Sequence, residues 1–406
     1  MPLSVRRKPY VLPSYSLTGD LLAFGRCPLA YRFNNVGKLP PSRPIQLWFG
    51  EFIHGVMEES WRILRDDPSS LPPWPYDQIK EICDRVEGRL RAKGLYAWSR
   101  RSSHLARMRA VVAVNELGPS LLPLIERAEV RVAGARMLPD SVLASGYREA
   151  DRYEMAGVID VVTEVTLNDP AYAANPIVSA IAAALPVERP SRFEVILDYK
   201  GARRPPFGGN PTHNYSAVYD WQLQTYAHLR SRQEGSRPVL AAGLLFLNEL
   251  LPARADLTRL VEEIDNGTAD VAPSPGSAID TALRTRLPGR RHPKIPFEFR
   301  LARTLRINAV TNTTVSSALG AFDEVVADIE ECHRREAAGE TITSAWRANP
   351  SDHQTCAACD HRTRCTAYQA TGTNVDRLPR EPWGRGTGAP PPVAAPRRLT
   401  IRVKTS

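Results

Sequence analysis

The sequence predicts an α/β protein, a mixed β-sheet core flanked by helices, and three observations carry that prediction. The first 126 residues read as helical. Four β-branched, alternating or continuously apolar runs follow, at 128–132, 154–165, 193–200 and 238–250, with helical stretches after the third and before the C-terminal end. Hydrophobic residues make up 43% of the 406-residue chain and charged residues 24%, an ordinary globular balance that supports a sizeable core.

The elements follow in order. Ser16 or Thr18 caps a first helix through Leu21, Leu22, Phe24 and Cys27. A second helix is predicted over roughly Gln46 to Arg65, where Phe49, Ile53, Val56 and Trp61 recur at helical spacing. LPPWP at 71–75 interrupts the chain, and a further helical region covers about 76–126. AEVRV (128–132), EMAGVIDVVTEV (154–165) and FEVILDYK (193–200) read as strands, Ser216 to Arg232 as a helix, and PVLAAGLLFLNEL (238–250) as a buried strand. Residues 252–305 are Pro- and Arg-rich and ambiguous, and a helix is predicted at about 317–338. Residues 170–186 and 201–213 read as insertions, and no internal repeat is visible. The expected organisation is a helical region at 1–126, a core at 127–250, a C-terminal region at 251–370 and a disordered basic tail at 371–406.

Charge and cysteine content narrow the class. The net charge is +9, and the segment from Asp376 to Ser406 supplies +5 of it through seven Lys or Arg against two acids. The remaining body is mildly basic, which fits a polyanion partner without requiring one. No apolar run is as long as a membrane span, and the basic N-terminus is followed by no apolar signal segment, so a cytoplasmic protein is expected. Of six cysteines, Cys356, Cys359 and Cys365 form a tight C-x2-C-x5-C run in a polar loop, which reads as a metal site one thiolate short of four. Cys83 and Cys332 read as ordinary thiols.

Several polar residues interrupt the apolar pattern. Asp160 sits inside AGVIDVV on the face of Val158 and Val162, where a carboxylate is costly unless paired, hydrogen-bonded or bound to a metal; an edge-strand acid facing water is the plainer alternative. Asp198 and Lys200 share strand parity and point to one face, as either a substrate-facing pair or a cross-strand ion pair. Gln222 and Tyr226 share one helical face, and His54 lies on an otherwise apolar one, a pattern also met in polar stripes and satisfied core histidines.

In their order along the chain these residues resemble the PD-(D/E)XK nuclease superfamily, and within it the RecB-like branch. That branch carries a G-x3-H segment (here Gly50 to His54), G-x-x-D (Gly157 to Asp160), (D/E)-x-K (Asp198 to Lys200) and Q-x3-Y (Gln222 to Tyr226). The resemblance implies a restriction-endonuclease-like fold and a metal-dependent DNA nuclease, an exonuclease on single strands or duplex ends, serving DNA repair or defence against foreign DNA. It implies that Asp160, Asp198, the Tyr199 carbonyl and His54 hold Mg2+ or Mn2+, that Lys200 acts on the attacking water, and that Gln222 and Tyr226 orient Lys200 and the phosphate. Iron–sulfur members of the branch, among them the CRISPR adaptation nucleases and AddB-type domains, carry one upstream cysteine and three after the core. By that likeness Cys27 joins Cys356, Cys359 and Cys365 around a [4Fe-4S] cluster, with zinc as the alternative ion for four thiolates.

Asp198 stands where Glu is commoner, and the 170–186 insertion puts substrate access in question. Arg203 and Arg204 are expected either to contact phosphates or to lie in a solvated loop. No phosphate-binding helicase motif occurs, so any motor would be a separate protein partner. The competing readings are a non-catalytic nucleic-acid-binding protein on a nuclease-like fold and a zinc-stabilised scaffold.

Overall fold

A computed structural model describes residues 12–39, 45–206, 215–285, 294–350 and 356–369. The predicted fold class is what it shows: a mixed six-stranded sheet flanked by helices, a restriction-endonuclease-like α/β arrangement. The strands are β1 (Ser14–Ser16), β2 (Ile125–Met137), β3 (Arg152–Thr166), β4 (Arg192–Lys200), β5 (Val239–Phe246) and β6 (Leu305–Ala309), in spatial order β1-β3-β4-β5-β6 with β2 also on β3.

The long strand β3 organises the sheet. One edge pairs antiparallel with β2 along most of its length, from Arg152 to Thr163. The other edge holds β1, parallel, at Glu154–Ala156, and β4, antiparallel, from Val161 onward. Residues 157–160, Gly-Val-Ile-Asp, therefore face an opening between the end of β1 and the start of the β4 ladder. Alternation along β3 also slips there: Ile159 faces one core and Val161, two residues on, faces the other.

Each face of the sheet carries its own core. One holds α1 (Ile45–Asp66), α2 (Tyr76–Ala92), α3 (Arg100–Val112) and α4 (Pro176–Ala184) against Val165, Phe193, Val195, Leu197 and Tyr199. The other holds α5 (Tyr215–Ser231) and α8 (Asn312–Ala337), with the N-terminal segment, against Val162, Ile196, Ala242 and Phe246. Strand parity thus sends Tyr199 to the α1 side and Asp198 and Lys200 to the α5 side.

Differences from the sequence reading have local causes. The first predicted helix is broken: Ser16 does cap it, its Oγ accepting from Gly19 N at 3.2 Å, but Cys27 is extended (φ −162°) between helical turns Leu22–Arg26 and Pro28–Tyr31. Proline lacks an N–H and belongs at a helix start, so Pro28 begins a new turn there. Residues 76–126 divide into α2, α3 and irregular turns, and β2 begins already at Ile125. The ambiguous 252–305 section contains α6 (Arg254–Asp265), a turn of helix at Ala278–Arg284 and α7 (Phe297–Thr304), around a small core of Leu257, Leu260, Leu283 and Phe299. The predicted basic tail at 371–406, and 207–213 of the second insertion, lie outside the described residues. Among the described residues no helix is long and apolar enough to cross a membrane.

Candidate active site

The site forms at the opening in β3, where helices from both faces reach the sheet. Gly201, directly after β4, lets α1 approach: a Cβ there would stand 3.0 Å from Phe49 and 3.4 Å from the Gly50 Cα. That contact brings His54, one turn further along α1, over the end of β4. Its Nε2 lies 2.7 Å from the Tyr199 carbonyl oxygen and its Nδ1 3.3 Å from Asp160 Oδ2. A carbonyl only accepts, so Nε2 carries a proton in this arrangement. Asp160 Oδ2 also accepts from Tyr199 N at 2.8 Å. The acid predicted on β3 is thus bonded across the gap to the backbone of β4, one residue past the last paired position, Val161 with Leu197.

Asp198 faces α5. Its Oδ1 accepts from Gln222 Nε2 at 3.0 Å, and its Oδ2 lies 2.6 Å from Lys200 Nζ. Lys200 Nζ in turn donates to Gln222 Oε1 at 3.0 Å and stands 4.7 Å from the centre of the Tyr219 ring. Burial works against the ammonium, but the charges of Asp198, Tyr219 and Asp160 and the hydrogen bond to Asp198 more than offset it, and the Lys200 pKa is raised. Lys200 is therefore a held cation. The Asp160 carboxyl is pushed up to about 7, by burial first and by the Asp198 charge second, with His54 and the Tyr199 N–H working the other way.

Tyr226 follows Gln222 by one turn of α5, and its hydroxyl lies near Thr18 and Gln222, whose influence partly offsets the rise that burial gives its pKa. Its ring lies on Gly157: a Cβ at that position would stand 2.6 Å from Tyr226 Cε1. The glycine of G-x-x-D is there because the tyrosine of Q-x3-Y covers it. The structure thus brings His54, Asp160, Asp198, Tyr199, Lys200, Gln222 and Tyr226 into one neighbourhood. They line, or in the case of Tyr199 back, a groove of about 1110 Å³.

One residue in this groove escaped the sequence reading. Glu129 offers a carboxylate oxygen within 4.8 Å of ligand atoms of His54 and Asp160. It has a left-handed backbone (φ 52°) in mid-strand, where the ladder skips from Ala128–Val161 to Val130–Ile159. Such a conformation costs a non-glycine residue about 1 kcal/mol. Its sequence context, alternating with Arg127 and Arg131, reads as solvent face, and only the β2–β3 register sets it opposite Asp160.

Two expectations require correction. Arg203 and Arg204 neither face phosphates nor form a solvated loop. Arg203 pairs with Glu263 of α6. Arg204 is buried, binds the Asp270 carboxylate at 2.9 Å, and donates to the carbonyls of Arg303 and Leu305 at 3.0 and 2.7 Å. Nor does the 170–186 insertion cover the groove: its helix α4 buries Ile177, Val178 and Ile181 in the α1-side core, and no groove-lining residue comes from it.

Beside the α8-side core the two cysteine segments meet. Cys27 and Cys365 both pack against the α8-side core, and the charges of Cys27 and Cys365 act on Cys359. Burial raises the Cys359 pKa, while a hydrogen bond from His361 N to its sulfur, at 3.4 Å, lowers it. His361 Nε2 lies 2.9 Å from Asn34 Oδ1 and its ring 4.8 Å from that of Phe33. Asn349 bridges the segments, donating to the Arg26 carbonyl at 3.3 Å and accepting from Cys356 Sγ at 3.8 Å. Cys83 is buried in the α1-side core and Cys332 lies at the edge of the other.

Comparison with curated proteins finds no match. Over residues 19–169 the chain matches the family model of the PD-(D/E)XK nuclease superfamily and is similar to it there, a span that includes Cys27, His54, Glu129, Gly157 and Asp160 and ends before Asp198 and Lys200.

Proposed function

We propose that this protein is a metal-dependent DNA nuclease that hydrolyses phosphodiester bonds in the β3 groove. The observation that carries the reading is the juxtaposition of His54, Glu129, Asp160 and the Tyr199 carbonyl at one end of a site whose other end is the Asp198–Lys200–Gln222 cluster. The first set is hard oxygen with one imidazole, which suits Mg2+ and, because of the histidine, suits Mn2+ better. A divalent cation held there would acidify water and neutralise phosphate charge. Asp198, expected as a further ligand, lies outside this set, held by Lys200 and Gln222; it acts on Asp160 through its charge and would join a bound cation only by turning from Lys200.

The chain's own groups do the rest. Lys200, kept protonated, would stabilise charge developing on the phosphate and orient the attacking water, rather than remove its proton. Gln222 holds both Asp198 and Lys200, and Tyr226 buttresses Gln222 and closes the groove wall. The preferred substrate in this reading is a single strand or a duplex end, in DNA repair or in defence against foreign DNA, with any motor supplied by a partner protein.

The meeting of Cys27 with the C-terminal cysteines supports a [4Fe-4S] cluster, with Cys356 as the remaining ligand. The half-buried sulfurs and the N–H donated to Cys359 suit a thiolate-bound cluster. Zinc is the alternative, and colour separates the two: a cluster gives a brown protein and zinc a colourless one.

End-labelled single- and double-stranded DNA incubated with Mg2+, Mn2+ or EDTA tests the nuclease. Cleavage is expected with Mn2+ and Mg2+ and not with EDTA. Asp160→Ala and Lys200→Ala should each lower the rate at least a hundredfold while the protein stays folded. Undiminished cleavage by both variants would remove the site assignment.

A further inference from the structure

We propose that Tyr96 and Trp98, flanked by Lys93, Arg100 and Arg101, form a stacking platform for single-stranded DNA that leads into the groove. The proposal rests on the nuclease reading for its choice of ligand and names the strand that the site would receive.

The charge pattern comes first. Residues 88–115 contain seven Lys or Arg and no Asp or Glu. Part of that charge is neutralised within the fold: Arg89 pairs with Glu59, Arg91 and Arg107 with Glu87, and Arg109 with Asp256. Arg100 and Arg101 are exposed and in no ion pair among the described residues. Lys93 is exposed as well, and with Arg89 and Leu90 it lines the groove that holds Asp160 and Lys200. A cationic track thus runs from the groove wall to the start of α3.

The aromatic residues lie on that track. Tyr96 is 61% and Trp98 42% exposed, while their neighbours Leu95 and Ala97 pack on the core. Burial alternates in, out, in, out, which leaves both aromatic side chains partly exposed. The segment is held at both ends. Gly94 (φ 74°) ends α2, with Leu95 N bonded to the Leu90 carbonyl at 2.9 Å and Leu95 buried in the same core as Leu90, a Schellman-type stop. Ser99 then caps α3 reciprocally with Ser102. The rings therefore stand on a fixed backbone, and their ordering cost falls before any ligand arrives.

Exposed aromatic rings interleaved with cations bind single strands by base stacking plus phosphate attraction. A duplex keeps its bases stacked internally and presents no free base faces. The occupant that matches both the rings and the charge is a single strand of nucleic acid.

Binding of fluorescein-labelled (dT)20 and of a blunt hairpin duplex, followed by anisotropy in EDTA at several salt concentrations, tests this without cleavage. Tyr96→Ala/Trp98→Ala should weaken (dT)20 binding roughly tenfold or more, with an unchanged salt slope. Arg100→Ala/Arg101→Ala should reduce the slope of log K against log salt by about 1.4. Tyr96→Phe/Trp98→Phe, which keeps the rings, should bind as the wild type does and controls for folding. Wild-type affinity in the double alanine variant would overturn the proposal. So would a change in sedimentation of that variant with unaltered DNA binding, because the rings would then hold a second copy of the chain. Failure of the nuclease reading shows elsewhere, as absent cleavage by the wild type with Mn2+, and leaves the binding measurement decisive for the platform.

Discussion

In the proposed site Asp160 would set metal binding against stability, a conflict that a single substitution exposes. In the metal-free protein its carboxyl is pushed up to about 7 by burial and by Asp198, against about 3.9 in an unfolded chain. Between those values the folded state keeps a proton that the unfolded state has lost. Stability therefore falls as pH rises from about 4 to about 7 and stays reduced above that. The full shift corresponds to at most about 4 kcal/mol. Asp160→Asn cannot ionise, so in EDTA at pH 8 it should melt above the wild type, and the two should converge near pH 4. Excess Mn2+ should narrow or reverse the order at pH 8, because only the wild type offers the carboxylate. A variant that melts below the wild type at pH 8 in EDTA would contradict the buried-charge account. The sequence revealed Asp160 because one acid in an apolar run is conspicuous locally. Glu129 stayed hidden because its significance depends on a register set across the 138–151 connection, which no local pattern encodes.

Elements meet at this site through glycines, and the glycine of the G-x-x-D motif records a packing contact. Gly157 accommodates the Tyr226 ring, which is itself buried. Gly157→Ala should push α5 from β3, disturb Gln222 and hence Lys200, and reduce cleavage by an order of magnitude or more. It should also cost about 1–3 kcal/mol by overpacking. Adding Tyr226→Ala should recover much of the lost stability without restoring activity; a double variant no more stable than Gly157→Ala would show that the clash lies elsewhere. The helical positions of Gln222 and Tyr226 were readable from spacing alone, because i and i+4 share a face whatever the fold. Arg203 and Arg204 were not readable, because their partners Glu263 and Asp270 lie in a section with no periodic signal. Arg204→Ala removes a buried guanidinium that binds the Asp270 carboxylate and the carbonyls of Arg303 and Leu305, and should cost about 1–3 kcal/mol through the acceptors left unpaired. The salt dependence of DNA binding should not change in that variant, whereas loss of a phosphate contact would lower the slope.

At the scale of the whole molecule, the first and last described segments lie on the α8 side of the sheet and meet each other. Tyr15 on β1 donates to Glu330 of α8, Arg32 pairs with Glu336 at 2.6 Å, and Trp346 Nε1 donates to the same Glu336 at 2.6 Å. These contacts hold the N-terminal segment on α8 independently of any cysteine. They also set Ser16 and Thr18 in the groove wall beside Tyr226. Closure by a cluster would add to this scaffold chiefly by limiting how far residues 12–36 and 356–369 separate on opening, an entropic gain that grows slowly with the length of chain enclosed. Cys27→Ser should then lose most of the bound iron and the brown colour and melt several degrees lower. Hydrogen exchange should quicken first in 17–36 and 356–369, with β3 to β5 protected as before, because the sheet cores do not include the thiolates. Uniform loss of protection across the sheet would mean that the cluster is needed for global folding. Unchanged iron content would place Cys27 outside the ligand set and leave the meeting of the two segments to contacts such as those of Phe33, Asn34, Asn349 and His361.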